Sequence, residues 1–171
     1  YSKMMGEELI KDIYGKVPAF RELFNSRVRH YIIKDHILNV FNQFEEYFSK
    51  HFLKYEIEKF RLFLLLHDIG KPIAYKQGDR NNQYSITISQ IQKHQAELGI
   101  SDVDFTFYKS LLKASSIGKY MENKASLSDT LSMIITQSEK TNLPLSDFFY
   151  LLSVYYQCDV ASYTKDAGGI A

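Results

Sequence analysis

Four residues of this chain carry groups suited to holding a metal ion. His67 and Asp68 stand side by side between the apolar run Leu64-Leu65-Leu66 and the segment Ile69-Gly70-Lys71-Pro72. An unpaired carboxylate is costly among apolar groups, so Asp68 needs a cation or hydrogen-bond donors. A divalent ion meets that need, and the adjoining imidazole can bind the same ion. The alternative for this dipeptide alone is a helix end where His67 caps the last carbonyls and Asp68 faces solvent. His36 lies one helical turn before Val40, on a stripe continued by Phe44 and Tyr47; its alternative is a satisfied core histidine. Asp159 extends the face set by Phe148, Leu152, Tyr155 and Tyr156 at spacings of three, four and seven. An inward-facing Asp is rarely tolerated without a partner. Its alternative is a helix that ends near Gln157 and leaves Asp159 exposed.

Two imidazoles and two carboxylates suit one divalent ion such as Mn, Fe, Co, Ni, Zn or Mg. Four protein ligands on a six-coordinate ion leave positions for water and a substrate phosphate. Such an ion lowers the pKa of a bound water and polarises a phosphoryl oxygen.

The elements that must position these residues are helical almost throughout, with no clear β-hairpin signal. The spacing predicts helices over Glu7–Tyr14, Ala19–Ile32, Asp35–His51 and Ile57–Leu66, with Gly70 and Pro72 as stop signals. A polar loop, Gln77–Gln83, precedes a helix over Thr87–Leu98 that Gly99 ends. Ser101 with Asp104, and Ser126 with Asp129, read as capping boxes for two more helices. The last helix follows Pro144 and runs from Leu145 to Tyr163. The expected fold is all-α, with about seven or eight helices.

The 171 residues suit one domain, 1–171. Apolar residues make up 45% of the chain, with 13 Tyr and 12 Phe, which predicts a packed globule and excludes disorder. The net charge of +1, from 21 Lys plus Arg against 20 Asp plus Glu, lacks the basic excess of a dedicated nucleic-acid binder. One cysteine, Cys158, excludes an internal disulfide framework and fits a reducing, cytoplasmic setting. No apolar run approaches the roughly 18 residues that span a membrane; the run Phe63–Leu66 has the size of a core helix segment. A start at Tyr1 rather than Met, and the C-terminal stretch Ala167–Ala171, are consistent with a domain excised from a longer chain.

The order His36, His67-Asp68, Asp159 resembles the H…HD…D signature of the HD superfamily of metal-dependent phosphohydrolases. The resemblance covers about Tyr31 to Tyr163. Leu65-Leu66-His67-Asp68-Ile69-Gly70-Lys71 is similar to the family's central motif nearly residue for residue. Asp35-His36-Ile37-Leu38-Asn39-Val40 and Cys158-Asp159-Val160-Ala161-Ser162 look like its first- and last-ligand segments. The resemblance implies a helical bundle around metal, with His36, His67, Asp68 and Asp159 as ligands and hydrolysis of phosphate esters as the activity. The Gly-Lys-Pro ending resembles the subgroup found beside tRNA nucleotidyltransferases and in related nucleotide- or RNA-directed proteins. That implies a small phosphorylated substrate or a nucleic-acid end as partner.

Many relatives add one or two His after the central motif for a second metal. Here the matching place falls near Gln83 or Tyr84, and His94 lies some three turns later, so one ion is expected. The GYP element of cyclic-dinucleotide phosphodiesterases is absent.

Asp68 is the candidate for orienting the attacking water, and Lys71 for reaching a substrate phosphate; a surface lysine near a helix C-terminus is the alternative for Lys71. Arg80 and Lys76 are candidates for substrate contact, against a solvated loop. His30 and His51 are read as surface or structural, and Cys158 as packing. The function expected first is hydrolysis of a phosphate ester on a nucleotide or RNA end. The alternatives are a non-catalytic HD-fold binding or regulatory module, and a nucleic-acid-binding domain, which the charge disfavours. Specificity is expected from the loop near Gly78–Gln83 and from Lys113–Lys124.

Overall fold

The computed structural model describes residues 2–163, so the Ala167–Ala171 stretch lies outside the described residues. Among these, seven helices have eleven residues or more: α1 (Ser2–Lys16), α3 (Ile33–Tyr47), α4 (Lys54–Leu66), α6 (Gln83–Lys93), α8 (Asp102–Lys113), α10 (Leu127–Thr141) and α11 (Leu145–Ala161). Four short ones, α2 (Phe20–Phe24), α5 (Lys71–Lys76), α7 (Gln95–Leu98) and α9 (Ser116–Met121), join them. The all-α expectation is met.

Helix α3 is the hub, packing against α1, α4 and α11. Its Ile33, Ile37, Val40, Phe41 and Phe44 are completely buried. Tyr47, expected on the same stripe, is 54% exposed, because α3 reaches the surface at its last turn. A chain of ring contacts, Phe44–Phe60–Phe63–Tyr155–His67, runs from the core to the candidate ligands at centroid separations of 5.1, 5.8, 4.9 and 5.5 Å. Edge and tilted contacts of this kind fix ring orientation, so the aromatic packing that stabilises the fold also aims His67.

The helix expected over Ala19–Ile32 stops at Phe24. Asn25 donates through Nδ2 to the Arg21 carbonyl (2.8 Å), and Ser26 donates through Oγ to the Glu22 carbonyl (2.8 Å). These side chains satisfy the last carbonyls and release the backbone. A hairpin follows, β1 (Arg27–Val28) antiparallel to β2 (Tyr31–Ile32), with Val28 opposite Tyr31. Phe20, Phe24 and Val28 are buried as expected, but Val28 is on a strand. Ser101 and Ser126 do cap α8 and α10, accepting from the amides of Asp104 (3.1 Å) and Asp129 (3.0 Å). The Thr87–Leu98 helix begins earlier, at Gln83, and breaks at His94. Gly99, at φ 68°, ends it as expected.

Gly70 has another role than stopping a helix. Its φ is −84°, and Pro72 opens α5 instead of barring it. Gly70 is pressed against α6: its amide donates to Thr87 Oγ1 (3.0 Å), and a Cβ would lie 2.3 Å from the Thr87 backbone nitrogen. Gly70→Ala is therefore expected to cost about 1–3 kcal/mol through overpacking. At this chain length that lowers the melting temperature by roughly 2–12 °C. An unchanged melting curve would contradict this close approach.

Candidate metal centre

The four candidate ligands come from three elements that the core holds in register: His36 from the first turn of α3, His67 and Asp68 from the end of α4, and Asp159 from α11. One donor atom from each lies within 4.8 Å of all the others. His36 Nε2 is 3.0 Å from Asp159 Oδ1 and 3.5 Å from Asp68 Oδ2, and His67 Nε2 is 3.5 and 3.7 Å from the same two oxygens. Among the described residues no other group of His, Cys, Asp and Glu converges in this way.

The tautomer of His67 is fixed. Its Nδ1 lies 2.6 Å from the Leu64 carbonyl, which can only accept, so Nδ1 carries the proton. Nε2 then points a lone pair into the cluster and, though fully buried, has no hydrogen-bond partner. A buried orphan of this kind, facing two carboxylates and a second imidazole, fits a divalent ion. The backbone bond on the far nitrogen is the usual means of orienting a metal-bound His. His36 has no such bond: its Nδ1 is buried without a partner, and the ring is instead stacked on Tyr163 at 4.3 Å.

The charges in the cluster hold one another. Burial works against ionisation of Asp68, but the ammonium of Lys71, and then His67 and His36, keep its pKa below the ordinary range. Burial likewise opposes the charged form of Asp159, and the hydrogen bond with His36, together with the nearby imidazole of His67, outweighs it, leaving that pKa well depressed. For His67 burial opposes protonation, yet the Asp68 charge and the contacts with Asp159 raise its pKa overall.

These shifts give a pH dependence for the metal-free protein. A raised folded pKa on His67 contributes stability that is complete below its unfolded value, about 6.5, and is lost as pH climbs through the folded value. The depressed carboxylates contribute above about pH 4 and lose that contribution only in acid. The metal-free melting temperature is thus expected to fall as pH rises above about 6.5. With a divalent ion the trend should reverse, because ligation needs neutral imidazole. A flat metal-free profile over this range would contradict the His67 environment.

The alternative that places Asp68 at the surface does not hold. Asp68 does not face solvent; its side chain is only 5% exposed, against 21% for Asp159. Asp159, not Asp68, lines the adjoining cleft, because α11 runs along its wall and Asp68 is turned inward toward Lys71. Lys71 is not a surface lysine either. It is buried, with Nζ 2.9 Å from Asp68 Oδ2 and 2.7 Å from Tyr163 Oη. Asp68 holds its ammonium charged against the opposing effect of burial.

The cleft has a volume of about 810 Å³. Lys71, Tyr84, Tyr155, Asp159 and Tyr163 give it a polar, aromatic floor, and Lys113 and Lys119 line it from the α8–α9 side. The Lys113–Lys124 region thus lies where specificity was expected, whereas Gln83 is the only residue of the Gly78–Gln83 loop in the wall. Arg80 is exposed and not part of the lining; its guanidinium lies over the Tyr75 ring at 4.8 Å. His94 packs edge-on against Phe20 and is outside the cluster, while His30 and His51 are exposed.

No protein-family model, curated protein or solved structure matches the chain.

The sequence did not single out Tyr163, Tyr84, Tyr31 or Arg29. Tyr163 follows Asp159 by four residues, a helical spacing that points to the same face. Tyr84 stands in the first turn of α6, beside the cleft. It is half-buried, and the desolvation of its hydroxyl, with the charges of Asp68 and Asp159, pushes that group up to about 12.

Proposed function

We propose that this chain is an HD-type, metal-dependent phosphohydrolase that acts on a phosphate ester of a nucleotide or an RNA end. The observation that carries the proposal is the convergence of His36, His67, Asp68 and Asp159 around an unpartnered His67 Nε2, beside a cleft with a buried lysine. A divalent ion bound there supplies a Lewis acid for a phosphoryl oxygen and lowers the pKa of water.

The chain's own groups have distinct parts. His36, His67, Asp68 and Asp159 hold the ion. Lys71 has three N–H donors and uses one on Asp68 and one on Tyr163, leaving a third for a phosphoryl oxygen. Its charge, already fixed in place, offsets the negative charge that builds on the phosphoryl group. Asp159 is the carboxylate that faces the cleft, so it is the better placed to accept a hydrogen bond from the attacking water. Its depressed pKa makes it a poor base, so its part is to orient that water and not to take the proton.

The test is a screen of the purified chain with Mn, Co, Ni, Zn or Mg against phosphomonoesters, phosphodiesters and nucleotides. Turnover that chelation abolishes is the expected result. No turnover with any of these metals would favour the non-catalytic module.

A further inference from the structure

Arg29 is placed where the fold has no use for an arginine. It is the first of two residues, Arg29 and His30, that join β1 to β2, and its φ is 52°. Two-residue hairpin turns need such angles and select Gly, Asn or Asp for them, and the Cβ of any other residue makes the conformation strained. Arg29 is exposed, and among the described residues no carboxylate pairs with it. Strain kept in a residue that does nothing for the core is a reason to look for a ligand.

The hairpin carries Arg29 to the cleft. Tyr31, on the second strand, contacts His36 at 5.6 Å and Tyr163 at 6.2 Å, and its ring centroid is 5.7 Å from Lys71 Nζ. Arg29 itself lines the cleft, with its guanidinium over the Tyr75 ring at 5.6 Å. Arg80, from the 3-10 turn Arg80–Asn82, lies over the same ring at 4.8 Å, and no carboxylate among the described residues pairs with it. Tyr75 thus gathers two guanidinium groups at one edge of the cleft. The chain as a whole is nearly balanced, 21 basic residues against 20 acidic ones, yet Arg29, Lys71, Lys113 and Lys119 line a cleft whose acids are Asp159 and Glu122. With Lys71 held by Asp68, Arg29, Lys113 and Lys119 remain to face Asp159 and Glu122.

We propose that Arg29 and Arg80, held together on Tyr75, form a second anion subsite that takes a distal phosphate group of a small polyphosphorylated ligand whose reacting phosphate lies at the metal centre. This rests on the phosphate-ester function proposed above. Arginine suits the role because its planar fork binds two phosphate oxygens at once. A small ligand is favoured over a polynucleotide because Arg29, Lys71, Lys113 and Lys119 line one bounded cleft, with Arg80 beside it on Tyr75, and the chain carries almost no net charge.

The experiment is calorimetric titration of the full, metal-free chain with orthophosphate and with tripolyphosphate, on wild type, Arg29→Gly, Arg80→Ala and the control Arg21→Ala. Tripolyphosphate should bind at least about tenfold more tightly than orthophosphate, the scale of one charge-assisted contact. Arg29→Gly and Arg80→Ala should each lose about that factor for tripolyphosphate, and Arg21→Ala should lose nothing. Arg29→Gly should also melt no lower than wild type, since glycine relieves the turn. Equal affinities in wild type and both cleft variants, an equal loss in Arg21→Ala, or tighter binding of a single-stranded oligonucleotide than of tripolyphosphate would overturn the subsite. Absence of turnover by the metal-loaded chain would remove hydrolysis alone, because these affinities are measured without metal.

Discussion

Asp68→Ala is expected to lose the ion, all turnover, and a substantial part of the stability of the metal-free fold. Asp68 is the counter-charge for a buried ammonium: Lys71 Nζ is 2.9 Å from its Oδ2, and both residues are almost inaccessible to solvent. Removing one partner of a buried pair leaves the other charge uncompensated, which costs about 3–5 kcal/mol. For a chain of this size that is a fall of roughly 6–20 °C in melting temperature. The double variant Asp68→Ala with Lys71→Met should recover much of the loss, since no orphan charge then remains. Thermal melts and metal quantification on both variants check this. A single variant that melts like wild type and keeps its ion would remove Asp68 from the centre.

Lys71→Met should behave in the opposite sense toward the ion. It deletes a cation beside the donor cluster, so affinity for a divalent cation should be retained or raised. Turnover should nevertheless fall about 10- to 1000-fold, the scale of losing one electrostatic stabiliser of the transition state. Steady-state kinetics with parallel metal quantification separate the two effects. Unchanged turnover would leave Lys71 only its pairing with Asp68 and Tyr163.

Much of the centre was legible because helical spacing carries inward-facing information. His36 in step with Val40 and Phe44, and Asp159 in step with Phe148, Leu152 and Tyr155, could be placed on buried faces before any coordinates. Gly70 was legible as a residue type but not in its cause, because its close approach to Thr87 joins positions 17 residues apart. The hairpin was hidden because Phe20, Phe24 and Val28 keep a spacing of four whether or not the helix continues. The end of that helix lies instead in the side-chain bonds of Asn25 and Ser26. The cleft was the least legible part. Arg29, Tyr84, Lys113 and Tyr163 meet only through tertiary packing, and no periodicity links a turn, two helix ends and the C-terminal end of α11. The relative burial of Asp68 and Asp159 was not legible for the same reason: flanking residues do not reveal which carboxylate lies against Lys71 and which borders the cleft.

The coordination centre is tested most directly by anomalous diffraction from crystals of the chain grown with Mn. One peak is expected, within ligand distance of His36 Nε2, His67 Nε2 and a carboxylate oxygen from each of Asp68 and Asp159. No peak at this cluster, or an ion held by other side chains, would contradict it.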